Sequence, residues 1–139
     1  MDVEVGFIPH FVRQDSMREI VEQGMRAEFF YSPDIKSMFQ FAVDYFVQAN
    51  FESTVSMDLL TDDYNEWFSR SELEPDTYTA EFLIERIKTR YRRNQTQNII
   101  RDIGALSVED PEAALVKGLG DMSRLQFETS TKDRQEIYA

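Results

Sequence analysis

The chain has 139 residues, enough for one folded domain, and carries 26 acids against 15 bases for a net charge of -11. Without a single cysteine it can form neither a disulfide framework nor a thiolate zinc site. No apolar run approaches the roughly 18 residues of a membrane span, and the start, MDVEVGF, lacks the basic region of a secretory signal, so a cytoplasmic protein is expected.

Residues 1–13 place Val5, Phe7, Ile8, Phe11 and Val12 in one short buried helix, interrupted or bent at Pro9, whose ring removes an amide donor. Asp15 or Ser16 then opens a second helix. Ser16 and Glu19 have the spacing of a capping box, Met17, Ile20 and Val21 face inward, and Gly24 suits the C-terminal cap.

The strongest helix signal follows. Ser32 is a side-chain acceptor at an N-cap, Pro33 occupies the first helical position where no amide is wasted, and Asp34 favours the positive end of the dipole. Ile35, Met38, Phe39, Ala42, Val43 and Phe46 recur at three-and-four spacing, which puts them on one face. At roughly 1.5–3 kcal/mol for each large apolar side chain, that face offers on the order of 10 kcal/mol of gross burial. Asn50 ends this helix. Ser56 caps the next, which carries Met57, Leu59 and Leu60 and, later, Trp67 and Phe68; SRSELEPD, containing Pro75, then reads as a linker.

From Thr77 to about Leu106 a long helix carries Tyr78, Phe82, Ile84, Ile87, Tyr91, Ile99, Ile103 and Leu106 as one stripe, with a polar waist at residues 94–98. About thirty helical residues span roughly 45 Å, longer than the core of so small a domain requires. Gly104 and residues 107–111 make a break, with Asp110 as cap and Pro111 as the first residue of a further helix presenting Leu115, Val116, Leu119, Met122 and Leu125. Two helices joined by a short turn are expected to pack antiparallel, with Gly118 and Gly120 permitting close approach at a cost of roughly 1 kcal/mol each in helicity. The expected architecture is therefore all-α: a helical head over residues 1–74, a helical hairpin over 76–125, and a polar tail or start of an interdomain linker over 126–139.

Candidate chemistry is sparse. Residues 1–75 hold fifteen acids against five bases, residues 76–105 four against six, and residues 106–139 seven against four. An acidic head repels phosphate, so weak or no direct nucleic-acid binding is expected, whereas a basic protein partner would be attracted. The basic cluster Arg86, Lys88, Arg90, Arg92 and Arg93 reads as a solvated helix face, with Arg90, Arg92 and Arg93 as the nucleic-acid contact if there is one. Asp62, Asp63, Tyr64 and Glu66 read as a solvated face or a weak cation site. His10 is the one histidine, no Glu-x-x-His pair accompanies it, and no phosphate-binding loop occurs, so no metal, cofactor or catalytic residue is expected and the chain reads as no enzyme. Trp67 and Phe68 either complete the core or form a partner surface.

Over residues 26–125 the order Glu28, Phe30, Tyr31, Pro33, Ile35, Met38 and Phe39, then Val55, Leu59 and Leu60, then a long basic helix, a turn and a second helix, resembles the N-terminal domain of DnaB-family replicative DNA helicases. The segment around Pro75 is short for that family, as in a reduced, bacterial or phage version. The resemblance implies a non-catalytic collar that pairs subunits of a hexameric ring through its hairpins and recruits primase or a helicase loader in DNA replication. On that reading Phe82, Ile87, Tyr91, Leu115, Leu119 and Met122 pack the hairpin and the subunit interface, and the parent protein is an ATP-dependent helicase. The alternative is a stand-alone helical adaptor or inhibitor that binds a replicative helicase or primase.

Overall fold

The computed structural model describes residues 2–73 and 75–130, and they are all-helical, with no strand among them. The helices are α1 (Val3–Gly6), α2 (Ile8–Phe11), α3 (Gln14–Glu22), α4 (Pro33–Gln48), α5 (Met57–Asp63), α6 (Asn65–Arg70), α7 (Ala80–Glu109) and α8 (Pro111–Thr129), with a 3-10 turn at Ala27–Phe29. The chain divides into two compact units between Ile87 and Lys88, inside α7, whereas the sequence places its border near Pro75.

In the first unit, the expected bend near Pro9 is a full joint. Pro9 has no amide to donate to the preceding turn, so α1 stops at Gly6 and α2 restarts at Ile8, with Phe7 between them in helical geometry. Ser16 does not cap α3, which begins two residues earlier behind Arg13; its hydroxyl is taken by His10 instead. Gly24 does close α3. At φ 70° it sends its amide to Val21 O, and Met25 N reaches Ile20 O, the paired bonds of a Schellman end. Asn50 closes α4 by the same device at φ 57°, with Asn50 N on Val47 O and Phe51 N on Phe46 O, and the rings of Phe46 and Phe51 meet edge to face at 5.4 Å.

Ser32 and Ser56 cap α4 and α5 through bonds from Ile35 N and Leu59 N, and Pro33 leads α4 as expected. Ile35, Met38, Phe39, Ala42 and Phe46 are buried, and Val43 is half-buried. They meet aromatic residues in and beside α2 and the 3-10 turn: Phe30 lies 4.9 Å from Phe39 and 5.3 Å from Phe7, and Phe11 lies 6.1 Å from Phe39. Glu4 adds a buried polar tie, because its carboxylate accepts from Tyr31 N and Ser32 N at 2.9–3.1 Å and holds the entry to α4. The expected single helix over Met57–Phe68 is two, broken at Tyr64, whose hydroxyl lies 2.8 Å from Ser37 Oγ while its ring packs on Phe41.

Residues 71–73 and 75–79 lie outside any helix, and Thr79 caps α7 through Phe82 N. Leu83, Ile84 and Ile87 are buried in this first unit; a Cβ on Gly6 would stand 3.3 Å from Leu83 Cδ2, so α1 and the start of α7 touch. The expected stripe is thus rotated. Leu83 takes an inward place, while Tyr78 and Phe82 are exposed, stacked on each other at 5.1 Å, with the Arg86 guanidinium 5.5 Å from the Phe82 ring.

Candidate assembly face

In the second unit the turn is tighter than the sequence suggests. Gly104 and Ser107 stay helical, Ser107 Oγ donates to Gly104 O, and α7 runs on to Glu109. Asp110 alone makes the break, accepting from Ala113 N, and Pro111 opens α8. The helix also continues past the expected tail boundary at Gln126, through a buried Thr129; the rest of that tail, residues 131–139, lies outside the described residues.

Two contacts fix how α8 runs back along α7. A Cβ placed on Gly118 would stand only 2.6 Å from Ile103 Cδ1, so the helices approach closely there. Eleven residues away on each helix, Arg92 Nη2 donates to Thr129 O at 3.0 Å. Equal steps from the turn on both helices are the order of antiparallel neighbours. Ala114, Gly118 and Leu125 are buried along this line, and Ile103 is half-buried.

The rest of the side-chain placement follows from that line. In antiparallel helices, residues offset equally in sequence from a facing pair swing to the same side, because both the rotation and the axis reverse. Asp102 and Lys117, one residue before Ile103 and Gly118, therefore share a side. They line one cleft of about 240 Å3 with Asn98, Asp121 and Arg124. Asp121 accepts there from Lys117 Nζ at 2.7 Å and Arg124 Nη2 at 3.2 Å, and the Lys117 hydrogen bond foremost holds its carboxyl below the usual range.

Ile100 and Leu115, three residues before the facing pair, and Gly104 and Leu119, one residue after it, fall on the opposite side. That side exposes several large apolar residues. Ile100 is 58% exposed, Leu115 66% and Leu119 65%, and Val108, at the turn end, 85%. Met122 is half-buried beside them, where it lines a cleft of about 500 Å3 with Arg92, Thr96, Leu125 and Thr129. The second unit is thus a two-helix layer whose two sides differ, one holding the Lys117–Asp121–Arg124 ion pairs and the other the exposed Ile100, Leu115 and Leu119. Those three are large apolar residues grouped on one side of the pair.

The six residues expected to pack the hairpin and its interface separate into three classes, with Met122 half-buried. Ile87 and Tyr91 are buried, and Phe82 is exposed on the first unit. Leu115 and Leu119 do not pack α8 on α7; Ala114, Gly118 and Leu125 do that, which frees the two leucines for the surface. The period alone finds an apolar stripe on α8 but not which of two adjacent stripes turns inward, and Gly118 is the signal that decides it. Trp67 is 8% exposed and edge-to-face with a half-buried Phe68, so the pair belongs to the core rather than to an exposed anchor.

Within the basic cluster, Lys88 is buried, Arg90 is half-buried, Arg92 is engaged with Thr129 O, and Arg93 is exposed. Tyr91, being buried, offers no ring for a base to stack on. Among the described residues no group of acids and histidine is placed to hold a metal ion, and no helix is long and apolar enough to cross a membrane. Compared with family models, curated proteins and solved structures, the chain matches none.

Proposed function

We propose that this chain is an assembly module, acting as the non-catalytic N-terminal collar of a hexameric replicative DNA helicase, pairing subunits and recruiting primase or a loader. The observation that carries the reading is the open apolar face of Ile100, Leu115 and Leu119 on a helix pair that has already buried its mutual seam. A face of this kind stabilises nothing in a lone chain and is stabilising only when a partner covers it. The capped α4 and α5 and the α7–α8 pair also stand in the order that the resemblance to that family requires.

Charge supports pairing through the second unit. Residues 1–87 carry eighteen acids and six bases, residues 88–130 six acids and seven bases, so the net negative charge resides on the first unit. Contact between near-neutral units brings less like charge together than contact between acidic heads.

The test is Leu119→Asp in the full chain. The side chain is exposed, so the fold is expected to persist by circular dichroism. A charge placed under a second copy loses about 1.5–3 kcal/mol of apolar burial on each side of a two-fold contact, which weakens association by about a hundredfold or more. Sedimentation equilibrium is expected to show an oligomer for the wild type and a monomer for the variant. An unchanged mass in the variant refutes this face as the interface.

A further inference from the structure

Where the chain approaches α7, two side chains from the α2–α3 corner hold it. His10 is 4% exposed, and both of its ring nitrogens are engaged: Nε2 lies 2.8 Å from Tyr78 O and Nδ1 2.8 Å from Ser16 Oγ. A carbonyl only accepts, so Nε2 carries the hydrogen, and in the neutral ring Nδ1 accepts from the Ser16 hydroxyl. Beside it Arg13 Nη1 donates to Asp76 Oδ1 at 3.2 Å, and Nη2 pairs with Oδ2. The segment held in this way, residues 75–79, is exposed, lies outside any helix and ends in Thr79, the cap of α7. A cleft of about 390 Å3 opens over it, lined by His10, Arg13, Ser16, Asp76 and Tyr78.

We propose that His10 is the catch of a proton-operated clasp. Neutral, it holds the 75–79 segment, and with it the N-terminal end of α7, against α2 and α3. A proton, which the released ring binds more readily than the held one, favours release of that segment.

The physical basis is the cost of placing a cation on a side chain that is itself buried. The charged groups that face the ring are Arg13, from the start of α3, which repels a charged imidazole, and Asp76, from the held segment, which attracts it; Tyr78 offers its carbonyl. Desolvation is the largest influence and, with Arg13, keeps His10 below its ordinary 6.5, while the Tyr78 carbonyl and Asp76 pull the other way. With a depressed folded value, the unfolded or released state binds the proton first. The clasp is therefore at full strength above about pH 6.5 and weakens as pH falls below it, by up to about tenfold per pH unit, until the held ring itself becomes protonated. Asp76 lies below its ordinary 3.8, chiefly through its bond from Arg13, so this second tie survives the His10 window and fails only in stronger acid.

The chain's single histidine makes the test direct. In the full wild-type chain, the His10 ring signals and the backbone amides of residues 76–83 are followed by two-dimensional NMR between about pH 7.5 and about pH 5. The ring is expected to titrate below its ordinary value. Hydrogen-exchange protection of those amides, corrected for intrinsic rate, is expected to fall up to about tenfold per pH unit over the same window, while the amides of α4 hold. His10→Gln, whose amide still donates toward the Tyr78 carbonyl but does not titrate, is expected to flatten the profile. Protection that ignores the His10 titration in the wild type overturns the proposal, as does a wild-type pH profile retained in H10Q.

Discussion

The seam between α7 and α8 can be tested with two glycines that differ only in what surrounds them. Replacing a helical glycine by alanine stabilises a helix by about 1 kcal/mol, chiefly by removing backbone freedom from the unfolded chain. Gly120 has nothing within 4 Å of where its Cβ would stand, so Gly120→Ala is expected to show that full gain. At Gly118 the same Cβ would meet Ile103 Cδ1 at 2.6 Å and Cγ1 at 3.3 Å. Either the Ile103 side chain changes rotamer or α8 moves outward, and overpacking of this kind costs about 1–3 kcal/mol. Because Cδ1 is the far end of a flexible side chain, the lower half of that range applies, leaving Gly118→Ala between neutral and about 1 kcal/mol destabilising. Urea denaturation at one fixed protein concentration measures both midpoints. The refuting result is equal stabilisation by the two variants, which would mean that Ile103 does not lie over Gly118 and that the side-to-side division of the helix pair is wrong.

Two further outcomes follow from the first unit. Glu4→Ala removes the acceptor for Tyr31 N and Ser32 N and is expected to cost about 3 kcal/mol in chemical denaturation, since hydrogen bonds to a charged group are worth about 1.5–3 kcal/mol and their loss leaves buried donors without it; a cost below about 1 kcal/mol would show that water replaces the carboxylate. Asn50→Ala puts an ordinary side chain at φ 57° and is expected to lower stability by about 1 kcal/mol in thermal unfolding. An unchanged midpoint there would show that the end of α4 is not held in the left-handed conformation.

What the sequence makes legible is governed by locality. Caps are local, so Ser32, Ser56, Asp110, Gly24 and Asn50 could each be read from neighbouring residues, and each stands at a helix end. Ser16 failed as a cap because a residue six positions earlier, His10, competes for its hydroxyl, and no spacing rule registers that competition. Burial of Glu4 is likewise invisible: an acid in an acidic N-terminal segment reads as solvated until residues 31 and 32 are brought to it. The apolar face of α8 was half legible. Leu115, Leu119 and Met122 announce a stripe, but Ala114 and Gly118 are too small to register as a competing core, and their smallness is what draws α7 close. On α7 the expected stripe carried Tyr78 and Phe82, which the chain instead stacks on each other outside, while Leu83 fills the space over Gly6.

The opening of the chain has a consequence for the order of events during synthesis. Helices α1 and α2 are four residues each, far below the length at which an isolated helix holds in water. Phe7, Phe11 and Glu4 find partners at Phe30, Tyr31, Ser32 and Phe39. Residues 2–12 must therefore wait as loose, apolar chain until Phe39 has been made, and then close over α4 in one step. Because that separation is short, loop closure is cheap and the wait is brief, which limits the time during which a phenylalanine-rich segment is open to misassociation.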